Sequence, residues 1–321
     1  MRVALLYNPP DDAPDDAFDD SSETIDAISG ALRRLRLEVD PVVADRCLPR
    51  KLEEGPYDFA FNIARGRGRR CREAVAAAVC DLFELPYTGS DPLTLATTLD
   101  KDVARRLVSL EIPVAPAVLL ESPAGERKLE GLNYPVLVKP NDEGSSKGIR
   151  DDSIADNPTQ ALQRAEKLHA LYGCPVLVEQ VLDGPEVTVG IIGNGPRAEI
   201  LGCMEIALLT GDTRFVYSVD VRRDWRRRVR YNVPPRLPGS LLLDIEQKAR
   251  TAFRLLGCRD IAQMDFRLDS AGRIFFLECN ALPRLNPENG DIVILTRDSI
   301  GYEGLVQRIF KEALHRTGFT L

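Results

Sequence analysis

Residues 263–280 constrain the fold more than any other stretch of the chain. An alternating segment, 263–268, and a largely apolar run, 274–279, flank Asp269-Ser270-Ala271-Gly272-Arg273, which reads as a β-hairpin with a two-residue turn at Ala271-Gly272. That turn would set Asp265 directly opposite Glu278. Side chains alternate faces along a strand, so Asn280 joins the same face. Three hard oxygen ligands then converge on one spot. Magnesium prefers such ligands and completes its octahedron with waters and substrate phosphates. The competing reading is a strand with a polar outer face, which gives no reason for Glu278 and Asn280 to close an apolar run.

The rest of the chain is of ordinary globular composition, with 44% apolar and 28% charged residues in 321. That length suits about two or three compact domains. A formal charge of -7 opposes a dedicated nucleic-acid binder, because affinity for phosphate backbones needs a positive field. Arg222, Arg223, Arg226, Arg227, Arg228 and Arg230 crowd around the only tryptophan, Trp225, as a solvated or phosphate-facing surface. No run approaches about 20 apolar residues, and the apolar start of the chain is too short for a secretion signal, so no membrane association is expected. Cys47, Cys71, Cys80, Cys174, Cys203, Cys258 and Cys279 show no C-x-x-C spacing and sit mostly in apolar runs, as reduced, buried thiols do. The cytoplasm is the expected location. With only His169 and His315, a histidine triad or zinc centre is not expected.

Strand and helix patterns alternate at the start: a strand at 3–7, a helix with Ile25, Ile28, Leu32 and Leu35 on one face, then strands at 39–43 and 57–63 and a helix at 73–83. This is an open α/β sheet. Six aspartates between Asp11 and Asp20 form a solvated loop. Further on, helices are predicted at 103–110, 159–172 and 241–256, and strands at 136–139, 175–180, 187–192, 198–208 and 215–221. The later part looks antiparallel. The simplest organisation is three consecutive domains: 1–97, an α/β unit; 98–185, a central unit; and 186–321, which carries the hairpin.

Lys101 and Lys139 stand out because Lys139 ends an apolar strand, where an ammonium needs a partner. Nucleotide phosphates would supply one. Soon after comes Glu143-Gly144-Ser145-Ser146-Lys147-Gly148, whose glycines and hydroxyls suit a loop closing over phosphates. It lacks Walker A spacing. Glu179, Leu182 and Glu186 read either as contacts to adenine and ribose or as a domain linker.

In this order and spacing, Leu99-Asp100-Lys101, Val138-Lys139-Pro140, Glu143-Gly144-Ser145-Ser146, Glu179, the run from Leu182 to Gly190 and Leu277-Glu278-Cys279-Asn280 resemble the ATP-grasp superfamily, specifically the D-alanine-D-alanine ligase family. The likeness covers nearly the whole chain. It implies an α/β (α+β) ATP-grasp fold with two domains sandwiching ATP, and ATP plus magnesium, two ions, with manganese as a substitute. Phosphate contacts would come from Lys101, Lys139 and Ser146 on the Glu143-Ser145-Ser146 loop, adenine contacts from Glu179 and Leu182, and a ribose contact from Glu186. Asp265, Glu278 and Asn280 would hold the metal. Arg222 looks like the counterpart of a phosphate-contacting lysine. The implied reaction joins an amino acid or other carboxylate to an amine through an acyl phosphate, and the implied assembly is a homodimer.

The departures fall on the residues expected to meet the second substrate. Gln263 replaces an arginine two residues before the metal aspartate, and a neutral amide lacks the charge-assisted pair of a guanidinium. Pro283-Arg284 replaces Pro-Gly, and Arg284 could restore that charge. Residues 285–291 replace a serine-rich stretch. Glu23 is the remaining counterpart of an amine-binding glutamate, or else half of a capping box with Asp20. Glu73 either orients substrate or favours the start of its helix. The expectation is an ATP-dependent ligase joining a small amino acid or related carboxylate to an amine; the alternatives are a catalytically impaired ATP-binding protein, as a sensor or partner subunit, and a ligase for a non-alanine substrate in specialised metabolism.

Overall fold

The computed structural model describes residues 1–9, 21–68, 70–122, 129–209 and 216–320. The aspartate loop, 11–20, lies outside them.

The chain opens with β1 (Arg2–Tyr7), α1 (Ser22–Arg33), β2 (Glu38–Val43), α2 (Leu48–Glu54), β3 (Phe59–Asn62) and α3 (Ala74–Leu82). The strands form a parallel sheet in the order β2-β1-β3. Helix α1 starts at Ser21, whose side chain accepts from the Thr24 amide, so Ser21 rather than Asp20 is the N-cap. Ile28 and Leu32 are fully buried, as the helical spacing required.

The middle of the chain supplies α4 (Pro92–Leu99), α5 (Lys101–Val108), β4 (Ala117–Leu120), β5 (Val136–Pro140), β6 (Ile154–Ala155), α6 (Pro158–Tyr172) and β7 (Val176–Gln180). Its antiparallel sheet runs β4-β7-β5-β6. The expected boundary at 97 falls inside α4. Asp100 caps α5 by accepting from the Val103 amide, which fixes Lys101 at the first position of that helix.

The remainder comprises β8 (Glu186–Gly193), β9 (Glu199–Leu208), α7 (Val219–Arg223), α8 (Trp225–Arg228), β10 (Val229–Asn232), α9 (Gly239–Leu255), β11 (Asp260–Leu268), β12 (Ile274–Asn280), α10 (Asp291–Thr296) and α11 (Gly301–Thr317). Its antiparallel sheet runs β10-β9-β8-β11-β12. The strand expected at 215–221 is corrected: Ser218 accepts from the Val221 amide and starts the short helix α7. Helix α11 folds back onto the first sheet, where Phe310 meets Phe59 edge-on at 5.1 Å. One apolar core therefore joins Val3, Leu5 and Phe59 to Ile192, Ile261, Ile309 and Phe310. Among the described residues no helix is long and apolar enough to cross a membrane. Five cysteines are buried, whereas Cys47 and Cys71 are exposed, contrary to the expectation for those two.

Candidate nucleotide and metal site

The hairpin forms, and Asp265 faces Glu278 as expected, by a different route. The connection is three residues, not two: Asp269 pairs with Arg273 across Ser270-Ala271-Gly272, and Gly272 takes the left-handed conformation (φ 77°). Asp269 also accepts from the amides of Ala271 and Arg273, which closes the loop. This shifts the ladder so that Phe266 pairs with Phe276. A bulge at Leu277 restores the register, and Asp265 pairs with Glu278 and Gln263 with Asn280.

Asp265 is buried, and three neighbouring groups define it. Thr188 on β8 donates its hydroxyl to Oδ1 at 2.6 Å. The Gln263 amide donates to both carboxylate oxygens, at 3.2 and 3.1 Å. Burial, with the nearby charge of Glu278, holds the Asp265 carboxyl well above the usual range. Glu278 behaves oppositely: burial pushes it up, but Lys101, Lys139 and Arg222 outweigh this and bring it below its ordinary value. The Asn280 side-chain oxygen accepts from the Leu282 amide at 3.2 Å, and Asp265 and Glu278 stand as two adjacent carboxylates, hard donors of the kind a divalent cation prefers. Their mutual repulsion is what such a cation relieves. Among the described residues no group of three His, Cys, Asp or Glu could hold a metal, so a cation here depends on Asn280 and on oxygens from its ligand.

Lys139, Ser146, Glu179, Leu182, Glu186, Arg222, Gln263, Asp265 and Glu278 line one cleft, with about 80 Å³ of free space. Basic and acidic side chains are paired within it. Lys139 donates to Glu179 at 2.7 Å with both buried, Lys101 lies 3.5 Å from Glu278, and Arg222 pairs with Asp291 at 2.7 Å. Arg267 lies 3.5 Å from Glu186, whose carboxyl burial pushes up and Arg267 pulls down, with the net shift upward. Burial works against the charge on Arg222, but Asp291 and two tyrosines outweigh it and raise the group. Within the 222–230 run, Arg228 and Arg226 are drawn into surface pairs with Asp151 and Glu288.

The 143–148 loop has an unusual backbone. Ser145 and Ser146 are both left-handed (φ 55° and 60°), and Gly148 follows at φ 75°, where a Cβ would meet the Pro140 ring at 2.5 Å. Ser146 donates to the Tyr217 carbonyl at 2.7 Å, and Lys101 donates to the Glu143 carbonyl.

The remaining expected residues lie apart from the cleft lining. Glu23 is exposed on α1. Arg284 lines a smaller cavity with Tyr217, Arg222, Trp225, Tyr231 and Asn289, and Tyr217 and Arg222 also wall the main cleft. Glu73 precedes α3 without capping it; it is buried 3.4 Å from Arg65. Sequence reasoning missed Thr188, Asp291 and Arg267. Only Arg267 carried a signal, lying two residues beyond Asp265 on the same strand face.

With this geometry in hand, known proteins give a consistent picture. The family model described as D-ala D-ala ligase C-terminus matches residues 107–311. The chain is 31% identical to the D-alanine--D-alanine ligase of Geobacter sulfurreducens over 296 residues, covering 89% of this chain and 87% of that one. It is also 29% identical to the uncharacterized protein y4sG of Sinorhizobium fredii over 268 residues, covering 81% and 76%. The crystal structure of D-alanine--D-alanine ligase from Bacillus anthracis complexed with ATP shares the fold at a TM-score of 0.75 and 18% identity, covering 99% of both chains. The VanG D-Ala:D-Ser ligase from Enterococcus faecalis does so at 0.75 and 19%, covering 97% of this chain and 99% of that one. The fold is therefore ATP-grasp, and the chain belongs to the D-alanine-D-alanine ligase family of ATP-dependent ligases.

Proposed function

We propose that the protein joins a small amino acid or related carboxylate to an amine, using ATP and releasing ADP and phosphate, with substrates other than two D-alanines. The observation that carries this reading is the convergence of Lys101, Lys139 and Arg222 on Glu278, which lines one cleft together with Asp265. The carboxylate oxygen attacks the γ-phosphorus and ADP leaves. The amine then attacks the acyl carbon of the acyl phosphate, and phosphate departs.

In this reading Lys101, Lys139 and the 143–148 loop, including Glu143, Ser145 and Ser146, meet the phosphates. The strand end from Glu179 to Leu182 takes the adenine, and Glu186 the ribose. Asp265, Glu278 and Asn280 hold magnesium, or manganese in its place, as two ions; bound there, it would neutralise charge on the transferring phosphoryl group. Preorganised cations act where charge develops, so the lysines contribute most during transfer. Gln263 is engaged with Asp265, which favours a supporting role over a direct hold on substrate. Arg284, behind Tyr217 and Arg222, takes the acceptor's carboxylate. The organisation into units 1–97, 98–185 and 186–321 is part of the proposal, supported by one sheet falling within each range. So are a cytoplasmic location and a homodimer; the free state of all seven cysteines supports the location.

The test is to incubate the purified protein with magnesium, ATP and a pool of amino acids, following phosphate release and the mass of ligated products. Substrate-dependent release is expected, and Glu278→Gln nearly abolishes it while the fold survives. ATP binding without turnover across a broad pool overturns the proposal.

A further inference from the structure

Arg65 and Arg72, upstream of α3, each reach a distant part of the chain. Arg65 donates to the Leu282 carbonyl at 2.9 Å, just beyond Asn280. Arg72 donates through Nη1 to the Asp142 carbonyl at 2.7 Å and through Nη2 to the Glu143 carboxylate at 3.0 Å. The Arg72 and Glu143 side chains are only 10% and 16% exposed, so water screens the pair little. Burial pushes the Glu143 carboxyl up, and Arg72 is the leading influence pulling it back.

We propose that Arg72 is a positioning residue for phosphate binding: its guanidinium fork holds the root of the 143–148 loop in the shape that meets the nucleotide. This rests on the reading of that loop as a phosphate cover. Two successive left-handed serines are a costly backbone state for residues with a Cβ, and it persists only where surrounding contacts fix it. Ser146 is tied at the far end by the Tyr217 carbonyl, and Lys101 touches the Glu143 carbonyl at the near end. The Arg72 fork adds a hold on two consecutive residues at the root, one through backbone and one through side chain. A planar guanidinium can do this where an ammonium engages as a point charge. Arg72 thereby ties the first part of the chain to the phosphate end of the site, without being placed to touch the nucleotide itself.

The test separates phosphate binding from base binding. Affinities of wild type, Arg72→Gln, Arg72→Lys and Glu143→Gln are measured calorimetrically for the magnesium complex of a non-hydrolysable ATP analogue and for adenosine. Losing a hydrogen-bonded charge pair weakens binding of the analogue about tenfold in Arg72→Gln, with adenosine affinity unchanged. Arg72→Lys falls between, and Glu143→Gln, which keeps the bond to the Asp142 carbonyl, shows a smaller loss of the same kind. Equal losses for the analogue and adenosine, or no loss, overturn the inference while wild-type binding leaves the nucleotide site standing. Failure of wild type to bind the analogue overturns both.

Discussion

Thr188→Val removes one oxygen from the support of Asp265, the proposed metal ligand, and leaves the volume nearly unchanged. Thr188 is 1% exposed, and its hydroxyl donates to Asp265 at 2.6 Å. Water cannot easily replace it, because the valine methyl fills the same space. A hydrogen bond to an ionised group contributes about 1.5–3 kcal/mol. The remaining Gln263 amide still reaches both oxygens of Asp265, so the loss sits near the lower end of that range. Each 1.4 kcal/mol is about tenfold in affinity, so divalent metal binding should weaken about tenfold. Manganese titration followed by paramagnetic resonance, with a non-hydrolysable ATP analogue present, reads this directly. Thermal unfolding checks that the variant remains folded, as expected when β8 keeps its place between β9 and β11. A folded variant with wild-type manganese affinity would show that Thr188 does not support a metal ligand.

Arg284→Ala should raise the acceptor's Michaelis constant about tenfold through loss of a charged hydrogen bond, with that for ATP unchanged; steady-state kinetics on the identified substrates decide it, and an unchanged acceptor constant removes Arg284 from the site. Asp260→Asn tests the fold. Asp260 is fully buried, left-handed (φ 60°), and accepts from Gly89, Asn194 and twice from Arg316. Asparagine tolerates that backbone but leaves the Arg316 charge without its counterion, costing about 3 kcal/mol in urea unfolding; unchanged stability refutes the role. Magnesium and ATP should each strengthen the other's binding by the same factor, about 5- to 150-fold, because the coupling is reciprocal. Calorimetry of the analogue with and without magnesium measures it, and equal affinities refute it.

The pairing of Asp265 with Glu278 was legible in the sequence, and the groups that hold these carboxylates were not. Period-two alternation was enough to bring Asp265 opposite Glu278, although the three-residue connection and the bulge at Leu277 compensate each other in a way no pattern of apolar residues reveals. At 215–221 apolar content suggested a strand, but the Ser218 cap started a helix. Thr188 lies 77 residues from Asp265 and becomes its neighbour only because β8 inserts beside β11, a choice made by topology. The same holds for Asp291, which meets Arg222 from 69 residues away. What the acids do changes how the cations are understood. Lys139 is held by Glu179, Lys101 sits by Glu278, Arg222 is held by Asp291, and Arg72 is held by Glu143. Nucleotide phosphates approaching Lys101 or Lys139 would therefore compete with carboxylates for a buried ammonium, so binding would be an exchange of ion pairs with a net gain smaller than the number of lysines suggests. A divalent cation held by Glu278 would favour that exchange by drawing on the charge that now pairs with Lys101.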